Sequence, residues 1–368
     1  MLASGPAVRV SRGEKGRPQM ARFSYVQTPD YPLSDSIDMI KTADELGFYA
    51  CYSVDEIYHK DMWLLFAAVA DKTTNIRMGP NVTHVILRDP TLIAQQLATL
   101  DELSGGRAEA VVSFGNLVML SQYHVQWQGS RPLARVREAM HVLRTMLDTG
   151  KIDYQGEFFK YSGLFTAARP VQERVPLKLG AMGGPRSFEL AGEIADGMHH
   201  ALGYSKENYE YVVEHVRRGA ERSGRDVADL DLGAWVVSVV AQDAKAAKQA
   251  ARIIVAFYIP SMPKSQVERH GIEYESLQPI FDAFAAGDVP KAIELTTPEL
   301  VDTLSVAGTP EECVHKLKTD ILSTGINHVI AALVDPVLVK FFSGQTVDVP
   351  DVKSQLRLIA DKVMPELD

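Results

Sequence analysis

LDELSGGRAEAVVSFGN, residues 100–116, reads as the end of a helix, a glycine stop, a short buried strand and a small polar turn. Leu100 and Leu103 continue an apolar face begun by Leu92, Ile93 and Leu97, at the spacing of an amphipathic helix. Gly105-Gly106 ends that helix, because glycine enters the left-handed region that other residues avoid. AEAVVSF (108–114) is almost continuously apolar, the pattern of a parallel strand covered on both faces. A helix handed on to a buried strand through a tight turn is the repeating unit of an α/β fold. The fold therefore depends on how often the unit recurs.

It recurs along the chain. Strands are expected at 22–28, 49–54, 76–83, 108–114, 177–181, 196–200, 232–240 and 327–333, with helices between them. In 206–222 Tyr209, Val212, Val213, Val216 and Ala220 form one apolar stripe, and Gly224 stops it. Thr309, Pro310 and Glu312 spell a capping box with proline in the first turn. Eight such units predict an α/β fold of the (β/α)8 TIM-barrel type. A doubly wound open sheet is the alternative, since a strand count does not prove closure. Residues 150–176 suggest a small hairpin, and about 258–308 an insertion before the last strand. The segment 1–20 reads as a flexible extension, leaving 21–368 as one domain.

Composition narrows the function. The chain has 368 residues, 46% hydrophobic and 23% charged, with net charge −9. That balance disfavours nucleic acid and anionic membrane as partners. Cys51 and Cys313 stand apart, so neither a disulfide framework nor a thiolate metal site is indicated, and both are expected to be inert. No apolar run is long enough to span a bilayer, and the first twenty residues lack the apolar centre of a secretory signal. A cytoplasmic protein acting on a small molecule is the expectation. GxGxxG at a βαβ start, the P-loop and GxSxG are absent, so Rossmann, Walker and α/β-hydrolase chemistry lack support.

In a barrel the reactive end is the C-terminal face of the strands. Behind the second strand stand Asp55, Glu56, His59, Asp61 and Trp63. Glu56 and His59 could supply a proton beside a flat ring, whereas Asp61 suits a helix N-cap. Asn81, Val82 and Thr83 end the third strand, and asparagine is a poor strand residue. Asp89-Pro90 starts the next helix in cap-then-proline order. Gly183-Gly184-Pro185 opens a helix where an anion could bind backbone N–H groups. Alternation turns one of His199 and His200 inward and the other outward. No metal is expected there, for want of partners at ligand spacing.

These residues resemble the bacterial-luciferase-like superfamily, in the branch that uses the deazaflavin coenzyme F420. ADELGFYACYSVDE, MGPNVTHVILRDP, GAMGGPRSFELAGEIADG, HVRRGAERSGRD, VERHGI and VAGTPEECVHKLK are similar, in order and spacing, to 5,10-methylenetetrahydromethanopterin reductases. The resemblance implies F420 at the strand C-termini, with a hydride passing between its ring and a substrate. It implies a non-proline cis peptide at Asn81–Val82, Asp55 at the ring edge, and Gly183 and Gly184 at the phosphate or tail. Asn81, Val82, Thr83 and Asn116 would line the cofactor. The chain departs from its relatives in carrying Glu56 where a histidine is frequent, and Asn116 where sugar-phosphate dehydrogenases keep a glutamate. Val26 aligns with a first-strand glutamate of the methylene-reductase branch. Glu56 and His59 are thus the expected proton donors. An FMN-dependent monooxygenase and a non-catalytic F420-binding protein are the alternatives, and a homodimer is expected.

Overall fold

In the computed structural model of the chain the described residues are 21–28, 30–115, 117–126 and 129–367. The expected extension at 1–20 and the candidate Asn116 lie outside them. The barrel strands are β1 (Arg22–Val26), β2 (Ala50–Ser53), β3 (Arg77–His84), β4 (Ala110–Ser113), β5 (Leu177–Ala181), β6 (Gly197–Ala201), β7 (Asp231–Val240) and β8 (His328–Leu333). Each pairs in parallel with its sequence neighbours. Arg22 to Val26 also pair with His328 to Ala332, and that contact closes the ring. The sheet is a closed eight-stranded parallel barrel, and the open-sheet alternative falls.

Helices cover the outside. Asp61 caps the helix Met62–Val69 and Asp89 the helix Pro90–Ser104, whose first residue is proline. Thr309 and Glu312 form the reciprocal capping box that the sequence implies. In Pro90–Ser104 the buried stripe is Ile93, Leu97, Leu100 and Ser104. Leu92 and Leu103 lie off that stripe and stay 53% and 51% exposed, which corrects the broader face expected for this helix. Residues 150–176 hold the antiparallel hairpin Lys151–Gln155 with Lys160–Phe165.

The SGGR turn has a structural purpose. Gly105 ends the helix at φ 67°, and Arg107 then turns back. Its guanidinium donates to the carbonyls of Ser104, Ala70, Thr73 and Ile76. The buried carboxylate of Asp101 accepts from the N–H groups of Val171 and Gln172. One turn therefore ties a helix end, the entry to β4 and the connection before β5. Cys51 and Cys313 are buried, and burial pushes each thiol up to about 12, as expected of inert cysteines.

The stretch between β7 and β8 begins with the helix Ala244–Tyr258 and continues as short helices, among them Lys264–Arg269 and Gln278–Ala285. A short strand, Val306–Gly308, then adds to β7 at Ser238–Val240, and the helix Pro310–Lys316 leads on to β8. The sequence reading placed no strand there, because three residues carry no usable period. None of the helices among the described residues is long and apolar enough to cross a membrane.

Candidate active site

The lower end of the barrel carries charge where aliphatic side chains are usual. Arg22, Arg77, Glu109, Lys178, Asp231 and His328 stand at or beside the starts of their strands. The Lys178 ammonium lies 2.7 Å from Glu109 and 2.6 Å from Asp231. Arg77 holds the other Glu109 oxygen at 2.7 Å, and Arg22 meets Asp231 at 2.9 Å. Burial would raise the Glu109 carboxyl, but Lys178 and Arg77 outweigh it and hold it well below its ordinary value. Burial alone would lower the Lys178 ammonium; Asp231 and Glu109 reverse that and keep it charged.

One layer higher, His199 of β6 fills space that glycine leaves. A Cβ on Gly233 would lie 2.4 Å from the His199 ring, and one on Gly180 would lie 2.4 Å from Val82 Cγ1. Asn81 Nδ2 approaches His199 Nδ1 at 3.1 Å across the barrel. His200 turns outward, where its ring bonds Ala181 O and Asn208, so the inward and outward pair is as alternation implies. Burial lowers His199 to about 4 and His200 to about 3, so both rings are neutral at pH 7.

The upper end is open and lined by small groups. Val82, Ser113, Gly180, Ala181, Ala201 and Ala332 keep partial exposure on otherwise buried strands. The Asn81–Val82 peptide is cis, at the register shift between β3 and β4. The Asp55 N–H donates to Val82 O. The Asp55 carboxylate takes Thr83 Oγ1 at 2.6 Å, Arg88 at 2.9 and 3.1 Å, and Trp63 Nε1 at 3.3 Å. Further along this loop, His59 Nδ1 meets both Asp30 oxygens at 2.8 and 2.9 Å, and the bond to Asp30 raises the imidazole. Glu56 is close enough to Tyr258 to add its charge to burial in raising that phenol. Tyr258 packs edge-on against Trp235 of β7.

The segment after β7 leans over this opening. Gln266 Nε2 donates to the carbonyls of Ala201 and Leu202 at the end of β6. A Cβ on Gly183 would come within 3.3 Å of Pro263. The helix Pro185–Ile194 starts at Gly184 with no side-chain cap. That is the arrangement expected where an external anion meets a helix N-terminus.

A closed parallel barrel with such an opening is common to many enzymes, so the comparisons decide the family. The profile of the luciferase-like monooxygenase family matches residues 17–328. The chain belongs to that family. Its sequence is 28% identical over 350 residues to a 5,10-methylenetetrahydromethanopterin reductase of Archaeoglobus fulgidus, covering 94% of this chain and 99% of the other. A coenzyme F420 dependent tetrahydromethanopterin reductase from Methanopyrus kandleri superposes with a TM-score of 0.85 and 26% identity, over 95% of this chain and 100% of the other. The oxygenating constituent of a diketocamphane monooxygenase from Pseudomonas putida, solved with FMN, shares the fold at a TM-score of 0.67 and 16% identity, over 94% and 98%.

As a luciferase-like enzyme, the chain has most of its candidate residues at one end. Asp55, Glu56, His59, Asn81, Val82 and Thr83 belong to β3 or to the loop after β2, and Gly183 and Gly184 follow β5. Asp55 differs from expectation in one respect: donors of its own chain already surround its carboxylate. Sequence reading missed Asp30, Trp235, Tyr258 and the charged floor. His199, Asp231 and His328 bring metal-ligand atoms within 4.8 Å of one another, a grouping the sequence reading did not foresee. Asp231 is already neutralised there by Lys178 and Arg22, so a further cation would sit among cations.

Proposed function

We propose that this luciferase-like enzyme is an F420-dependent oxidoreductase that passes a hydride between the deazaflavin and a small molecule. The observation that carries the reading is the near full-length match, in sequence and fold, to the F420-dependent reductase of Methanopyrus kandleri. The residues fit such a group. Partly exposed Val82, Gly180, Ala181 and Ala332 offer a smooth wall to a flat ring, and the uncapped helix at Gly184 offers N–H groups to a phosphate. The bound coenzyme would supply the hydride chemistry. Val82, Thr83, Asn81, Asn116, Gly183 and Gly184 would hold it, and Asp55 would keep the ends of β2 and β3 in place through Thr83 and Arg88. Glu56, between the β2 loop and Tyr258, with His59 beside it, would move the proton that accompanies the hydride. The segment around Pro263 and Gln266 would exclude water.

Methylene-tetrahydropterins are the first substrates to try, because the full-length relatives are named for that reaction. The experiment is a titration of purified protein with oxidised and reduced F420, followed by turnover with methylene-pterins, methylene-folates and alcohols. Tight FMN binding without F420 binding would overturn the reading in favour of an FMN monooxygenase, the second reading, which the FMN-bound neighbour favours. Tight F420 binding with no turnover on any substrate would favour a carrier role. A homodimer is proposed through the adjacent helices Met62–Val69 and Pro90–Ser104, which expose Leu64 and Leu92. The two buried, unbridged cysteines agree with a cytoplasmic setting.

A further inference from the structure

The hydrogen bonds running up the barrel interior have one self-consistent arrangement of protons, and it ends at the opening. It starts below, where the Ala50 N–H donates to Ser24 Oγ at 3.0 Å. Ser24 Oγ lies 2.6 Å from His328 Nε2, and His328 Nδ1 lies 2.9 Å from Asp231 Oδ1. A carboxylate only accepts, so Nδ1 of His328 carries the proton and Nε2 accepts from the serine. The next group is His199, whose Nε2 faces the same Asp231 oxygen at 3.7 Å.

His199 Nε2 is sealed from solvent and has no hydrogen-bond partner among the described residues. The nearby ammonium of Lys178 makes no hydrogen bond to it. That ammonium donates to Tyr52 Oη at 3.0 Å and Glu109 Oε1 at 2.7 Å, and its charge is held against Asp231 Oδ2 at 2.6 Å as an ion pair. A bare Nε2 would turn its lone pair on the Asp231 carboxylate, so the proton belongs on Nε2. Nδ1 of His199 is then an acceptor, and it must receive its bond from the Asn81 NH2 group at 3.1 Å. The reverse amide orientation would set two acceptors against each other. Asn81 keeps 8% of its surface against 2% for His199, and no Asn81 atom is among the sealed, unpartnered ones.

We propose that Asp231 and His199 are positioning residues that lock the Asn81 amide with its carbonyl oxygen toward the barrel mouth, where it accepts from a ring N–H of the bound cofactor. The cofactor half rests on the deazaflavin reading above; the locking half stands on the chain alone. Free to flip, an asparagine would greet an N–H donor and a bare acceptor about equally well. Locked, it selects the donor. The neutral His199 ring, which burial and Lys178 hold at about 4, keeps the same orientation throughout the physiological range.

Two measurements test this. In protein labelled with 15N at histidine alone, the His199 signal is found by its loss in His199→Asn. At pH 7 it should show a protonated Nε2 and a bare Nδ1. A protonated Nδ1, or an imidazolium, would overturn the proposal. The second measurement is a titration with oxidised F420. His199→Phe, which cannot accept from Asn81, should weaken binding about tenfold, the scale of one lost hydrogen bond. His199→Asn, which returns an acceptor oxygen near the Nδ1 place, should recover most of it. Unchanged binding in His199→Phe with the wild type binding F420 would also overturn the proposal. If His199→Phe does not fold, the tautomer in the wild type decides. A wild type that shows the stated tautomer but binds no F420 supports the locking and sinks the deazaflavin reading instead.

Discussion

The ammonium of Lys178 stands 2.7 Å from the carboxylate of Glu109, inside a barrel where solvent reaches neither group. Breaking a buried pair leaves an uncompensated charge, which costs more than the pair itself contributes. Lys178→Met should therefore destabilise the fold by about 3–5 kcal/mol, read as a lower urea midpoint. A shift of less than about 1 kcal/mol, the range of an exposed pair, would contradict the burial described here.

Acid should weaken the protein earlier than carboxylate titration alone would. His199, His200 and His270 are lowered, mainly by burial, from 6.5 to about 4, 3 and 4. Each stays neutral in the fold and takes up a proton once the chain unfolds below pH 6.5. Stability from these groups is full above that pH and falls as the pH drops towards 4, by up to about 1.4 kcal/mol per unit for each ring. Urea midpoints at pH 7.5, 6 and 5 should fall steadily; a flat profile down to pH 5 would show the rings to be exposed.

Arg107 donates to carbonyls of a helix end and of the turn before β3. Arg107→Met should leave several of these unsatisfied and destabilise by about 3 kcal/mol, with little effect on F420 affinity. Thermal melts with and without F420 separate the two effects.

Gly180→Ala would put a methyl group 2.4 Å from Val82 Cγ1. Val82 must shift into the opening, so F420 binding should weaken at least about tenfold for a displaced wall. The melting temperature should move little, because Val82 has room on its exposed side. Equal affinity for the coenzyme would remove Val82 from the proposed wall.

Glu56→Gln should slow turnover about 10²–10⁴-fold while F420 affinity holds, the usual effect of losing a general acid or base. If His59→Gln has that effect and Glu56→Gln does not, the proton belongs to the His59–Asp30 pair.

The barrel was legible in the sequence because parallel strands covered on both faces read as plain apolar runs. Its closure was not, since the β1–β8 contact joins the two ends of the described chain. Glycine stops and caps marked helix ends well: Asp61, Asp89 and Thr309 all cap as their residue types imply. The charged floor escaped because Arg22, Arg77, Glu109, Lys178 and Asp231 fall at strand starts, where a polar residue passes for a boundary. The signal was there, as strand after strand opens on a charge. Asp30 could not be matched to His59 in advance, since only the fold brings the β1 and β2 loops together. Leu92 and Leu103 were assigned to the core because leucine alone does not report which side of a stripe it occupies.

The floor has a bearing on how this chain can change over generations. Three cations and two carboxylates that hold one another cannot be exchanged singly without a stranded charge. Lineages should keep the set or lose it together, with intermediates rarely sampled. A library that varies these strand starts one at a time would find them immutable, whereas one that replaces Lys178 together with a carboxylate partner would find survivors.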